Sequence, residues 1–149
     1  MKFQYSLQKI VDLRGSEKSM AEWEYAAALG KLRQEEDKMA ELVREQRELE
    51  QLLEQTALKP TPLARINELQ QYIDVLGERI KQQLQDVRSA EIETQYRQTR
   101  LADRMIDEKV WLNARDRAHE RFKFEWLSKE QSELDEIAIV RASAAARLA

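Results

Sequence analysis

The chain has 149 residues, room for one domain of ordinary size, and only three glycines and two prolines to punctuate it. Charged residues make up 36% and apolar residues 42%, a profile of long helices that argues against a sheet domain or a compact mixed fold. The 25 basic and 28 acidic residues are interspersed, which argues against a nucleic-acid surface, and the absence of cysteine excludes a disulfide framework or a thiolate metal site.

Phe3, Leu7, Ile10 and Leu13 open an apolar pattern at helical spacing, and Ala28, Leu32, Met39, Leu42, Leu49 and Leu53 continue it. The later set alternates by three and four, with Glu35 and Gln46 as polar interruptions. The early and late registers disagree near Gly15 and Ser16, which marks a local slip or weak point there. A helix is predicted from about residue 5 to 56, about 75 Å long at 1.5 Å per residue.

Pro60 and Pro62, two residues apart, end that helix and leave a turn at about 57–61. Thr61 is placed to cap a second helix that opens at about residue 62. Ile66, Leu69, Ile73, Leu76, Ile80 and Leu84 or Val87 then alternate by three and four. The stripe thins over 91–99 and returns at Leu101, Met105 or Ile106, Trp111 or Leu112, Phe122, Trp126, Leu134 and Ile137. The second helix is predicted to run to about residue 141, with a frayed alanine-rich tail at 142–149.

A short turn between two helices makes them antiparallel neighbours. The predicted fold is therefore all-α, a single coiled-coil domain of two long helices with the second the longer. Pairing outward from the turn sets Leu53 near Ile66, Leu42 near Leu76, Met39 near Ile80 and Leu13 near Met105. Trp23, Tyr25, Tyr96 and Trp111 are expected to pack between the arms. From about Asp116 onward the longer arm projects past the N-terminus, carrying Phe122, Phe124, Trp126, Leu134 and Ile137 without a partner helix. Exposed apolar surface of that kind marks an interaction site.

Catalytic equipment is not found. His119 shares a helical face with Asp116, but no second such motif exists, and Arg115 and Arg117 oppose a cation; it reads as a solvated or interface residue. The abundant carboxylates read as solvated coiled-coil flanks making i,i+4 pairs. No catalytic, metal or cofactor residues are expected, and no enzyme. No apolar run is long enough for a signal peptide or to insert into a membrane. The basic stretch from Arg97 to Lys123 fits an acidic protein partner better than nucleic acid.

Three stretches in order carry a family resemblance. They are Phe3-x-Tyr5-x-Leu7-Gln8-Lys9-Ile10-Val11-Asp12-Leu13-Arg14, Leu69-Gln70-Gln71-Tyr72-Ile73-x-x-Leu76-x-x-x-Ile80, and Glu130-Gln131-Ser132-Glu133-Leu134-Asp135-Glu136-Ile137-Ala138. Together with the length and the position of the break, they resemble the FliJ family of bacterial flagellar export proteins. That resemblance implies a cytoplasmic component of the flagellar type III export apparatus, at the membrane's cytoplasmic face at the flagellar base. It implies a stalk-like coiled coil that enters the hexameric ring of the flagellar export ATPase, FliI, and promotes its assembly and activity. The export gate protein FlhA is a second implied partner and export chaperones a third, with the chain itself a monomer.

The family's gate-contacting surface maps onto Leu42, Leu49, Tyr72 and Leu76. For the ATPase, the projecting end offers Arg14, Arg115, Arg117, Arg121, Phe122 and Trp126, an assignment from the overhang rather than from a family motif. The alternatives are the equivalent stalk of another secretion or rotary ATPase, and a self-assembling structural coiled coil.

Overall fold

The computed structural model describes residues 2–148. Two α-helices, α1 (Gln8–Ala57) and α2 (Leu63–Leu148), pack against each other as a hairpin, with α2 the longer. No strand occurs among the described residues. The alanine-rich end is helical through Leu148 where fraying is expected from the sequence. Alanine loses no side-chain freedom in a helix, which favours its continuation.

Contacts group the chain into two compact units, Met1–Lys18 with Arg104–Ala149 (unit 1) and Ser19–Asp103 (unit 2).

Unit 2 contains the turn. Thr61 does not cap α2 as expected; its Oγ1 donates backward, to the carbonyls of Thr56 at 2.9 Å and Lys59 at 3.0 Å. Thr56 is in the last turn of α1, where carbonyls lack intrahelical partners, and Lys59 lies in the turn that follows. Pro62 opens α2 through its carbonyl, which accepts the Arg65 amide at 3.0 Å.

The core of unit 2 is a single seam. Leu69, Ile73, Leu76, Val87 and Ala90 are buried on α2 and Ala21 on α1, with Leu76 wholly enclosed. Of Leu84 and Val87, it is Val87 that enters the seam, preceded by Gln83. The polar interruptions find partners across it. Gln83 Nε2 donates to the Glu35 carbonyl at 2.9 Å and to the Glu35 carboxylate, and Gln46 Nε2 donates to the Ile73 carbonyl at 3.4 Å. Where the large-residue stripe thins, small side chains continue it: Thr94 Oγ1 donates to its own helix at Ala90 and lies 3.2 Å from the Ala28 carbonyl on α1. Trp23, expected between the arms, is 80% exposed, and Tyr96 is also exposed; the Glu24–Arg97 pair at 2.9 Å stands at the seam instead.

In unit 1, α1 is helical across Gly15 and Ser16, and no residue there has a positive φ. The buried and half-buried positions Val11, Arg14 and Lys18 lie in the same three-four phase as Ala28, Leu32 and Leu42, so no slip is needed. The disagreement in the sequence arose because Leu7 and Leu13, the visible apolar residues, face outward. On α2 the seam is likewise taken by Arg104 and Glu108, while Met105 and Ile106 are exposed. A Cβ on Gly15 would meet Glu108 Oε2 at 3.2 Å; its absence lets that carboxylate cross to Lys18 at 3.0 Å.

Candidate partner-binding surfaces

Before α1, residues 2–5 are not helical and Ser6–Leu7 form a turn, closed by the Gln8 amide on the Tyr5 carbonyl at 3.1 Å. This leading segment turns Phe3 onto α2. Its ring lies edge-on to His119 at 4.7 Å and tilted against Phe122 at 5.3 Å, and Tyr5 stacks beside it at 6.5 Å. Phe122, expected to lack a partner, is therefore half-buried under Phe3, because the non-helical leading segment reaches along α2. The uncovered part of α2 begins one residue later. Every residue from 123 to 148 is exposed, including Phe124, Trp126, Leu127, Leu134 and Ile137.

The six ATPase-facing candidates separate accordingly. Arg117, Arg121 and Phe122 line one groove of about 400 Å³ in unit 1, closed on one side by Tyr5. Arg115, Arg117 and Arg121 are exposed and join no ion pair among the described residues. Trp126 is exposed beyond the groove. Arg14 is apart from these: it sits in the seam, its Nη1 holding Glu17 at 3.0 Å and its Nε buried without a hydrogen-bond partner. Glu17 is shared with Arg104 at 3.3 Å, which also approaches Asp107 at 3.7 Å. Arg14 thus belongs to an intramolecular charge cluster rather than to an open surface.

The basic stretch divides the same way within each unit. In unit 2, Arg97 pairs with Glu93 at 2.8 Å and Glu24 at 2.9 Å. The hydrogen bond to Glu93 raises the Arg97 pKa above its ordinary value, against an opposing effect of burial and with help from the Glu24 field. In unit 1, Arg104 is engaged as described, whereas Lys109 and the cations from Arg115 onward join no ion pair among the described residues.

The four gate-facing candidates also part company. Leu76 is fully enclosed and has no atom to offer a partner while the hairpin is closed, which corrects its expected place on a surface. A position in the seam looks the same in sequence as one beside it until the packing phase is known. Leu42 is half-buried. Leu49 and Tyr72 line a groove of about 460 Å³ in unit 2, together with Leu52, Leu69 and Val75. The Tyr72 hydroxyl, which crosses to Glu45 Oε1 at 3.1 Å, fixes one wall. Leu52 and Val75 are the exposed apolar members that the sequence reading missed; each lies one residue off the seam, which is the signal that marks them.

No group of three or more His, Asp or Glu close enough to hold a metal ion occurs among the described residues, and no helix among them is long and apolar enough to cross a membrane.

These features define a two-helix coiled coil whose accessible chemistry is protein surface: an arginine-edged groove leading to an uncovered helix end, and an apolar groove near the turn. The chain matches the family described as flagellar FliJ protein over residues 2–147 and belongs to it, which makes it a component of flagellar type III export. No curated protein matches the chain. In fold it is similar to CT670 of Chlamydia trachomatis, whose structure is described as that of a candidate YscO homolog. The TM-score is 0.71 at 18% identity, covering 93% of this chain and 94% of that one.

Proposed function

We propose that the protein is a stalk-like, non-enzymatic component of the flagellar export apparatus, acting in the cytoplasm at the membrane's face. It binds the hexameric export ATPase FliI through unit 1 and the export gate protein FlhA through unit 2. The observation that carries this reading is the end of unit 1, where Arg117 and Arg121, without ion pairs, edge a groove beside an uncovered helix, and Arg115 is exposed and likewise unpaired. Exposed cations steer encounter with an acidic partner and fix its register, and nearby aromatics such as Trp126 supply anchoring area. Leu49, Leu52, Tyr72 and Val75 offer the second, mainly apolar surface in unit 2. The monomer is the form that binds both, and export chaperones are further candidates for the apolar groove.

The test is co-elution with the cognate ATPase. Arg115→Glu, Arg117→Glu and Arg121→Glu together are expected to abolish co-elution at physiological salt while leaving helicity unchanged. Retention of the complex by that triple variant would remove the arginine edge from the interface. Binding to the ATPase of a virulence secretion system in preference to the flagellar one would move the protein to the alternative machine.

A further inference from the structure

Beyond Phe122, α2 continues over residues 123–148 with no residue covered. Along it Leu127, Glu130, Leu134, Ile137, Arg141, Ala144 and Leu148 recur at alternating steps of three and four, the spacing of one coiled-coil seam. Phe124, Trp126 and Val140 flank this stripe, and of the large apolar residues in the segment only Ile139 lies on the opposite face. Leu127, Leu134 and Ile137 are 55%, 56% and 49% exposed, although a stripe of this kind is built to be buried.

The stripe contains one acid and one base, Glu130 and Arg141, and neither joins an ion pair among the described residues. They stand symmetrically about a midpoint between Leu134 and Ile137. Ala144, the small member, stands opposite Leu127 about the same midpoint. A sequence arranged in this way is complementary to itself when reversed.

We infer that the occupant of this face is a second copy of the chain, paired antiparallel through residues 127–144. Each Leu134 then faces Ile137 of the second copy, each Glu130 faces Arg141, and each Leu127 faces Ala144. The overlap is about 27 Å of helix. The parallel arrangement sets Glu130 on Glu130 and Arg141 on Arg141, and like charges within a seam select against it. The inference does not depend on the ATPase or the gate. If the ATPase engages the same end, self-pairing and ATPase binding exclude one another.

The test is sedimentation of the full chain alone, over a range from low to high micromolar, with helicity checked by circular dichroism. The parent chain is expected to pass from monomer to dimer with concentration. Glu130→Arg alone, or Arg141→Glu alone, is expected to raise the dimer dissociation constant at least about tenfold, because two like-charge contacts arise per dimer. The double variant Glu130→Arg/Arg141→Glu restores pairing only in the antiparallel arrangement. Three results overturn the inference: a monomer at every concentration, a dimer indifferent to either single change, or a double variant as weak as the singles. Each is read without any ATPase, so loss of this inference and loss of the functional reading remain distinguishable.

Discussion

Replacing Gln83 tests whether the polar interruptions of the seam fix how the two helices meet. Gln83 is only 8% exposed, and its amide donates to both the Glu35 carbonyl and carboxylate. The Glu35 side chain is 13% exposed, and its other charged neighbour, Lys38, stands back at 3.7 Å. Gln83→Leu keeps the volume but removes the donor, leaving a largely enclosed carboxylate without its shortest partner. A hydrogen bond to a charged group is worth about 1.5–3 kcal/mol, so a loss of about 2 kcal/mol is expected. Glu35→Leu alone leaves the amide its bond to the backbone carbonyl of residue 35 and is expected to cost less, about 0.5–1.5 kcal/mol. The double variant replaces both partners by apolar groups and is expected to lie near the parent in stability. Urea unfolding followed by far-ultraviolet circular dichroism reads all four proteins, and the double-mutant cycle isolates the coupling. Single losses below about 0.5 kcal/mol, or a double variant as weak as the sum of the singles, would refute the reasoning.

Other expectations follow from the same geometry. Leu76→Ala, at the one fully enclosed large side chain among the described residues, is expected to cost about 2–5 kcal/mol in the same assay. Gly30→Ala is expected to stabilise by about 1 kcal/mol, since an added Cβ meets nothing within 4 Å and glycine weakens a helix interior. A loss of stability there would show an unrecognised contact. Phe3→Ala removes two ring contacts worth about 0.5–1.5 kcal/mol each. Hydrogen exchange is expected to quicken near His119 and Phe122 while amides at 69–90 keep their protection.

The hairpin was legible because two prolines in three residues are an unambiguous stop, and because large apolar residues hold the three-four phase through most of unit 2. It became illegible where packing was done by residues that do not look like a core. Ala21, Ala28, Ala90 and Thr94 carry the seam of unit 2 past the apparent gap, since small side chains pack as well as large ones when helices approach. In unit 1 the seam takes in Arg14, Lys18, Arg104 and Glu108 beside Val11, while Leu7, Leu13, Met105 and Ile106 face outward, so those apolar residues pointed to the wrong face. Arg14 was accordingly read as a surface candidate, although it pairs with Glu17, which Arg104 shares. The uncovered end of α2 was visible as unpartnered aromatics; its starting point was not, because residues 2–5 are not helical and no periodicity reports where such a strap lies.

The most direct test of the central claim is the ATPase rate of the cognate flagellar export ATPase across a titration with this protein. The account predicts stimulation that saturates well below one copy per ATPase subunit, as a single stalk in a hexameric ring requires, and loss of that stimulation when Arg115, Arg117 and Arg121 are all changed to Glu. No stimulation and no co-elution at any ratio would contradict it.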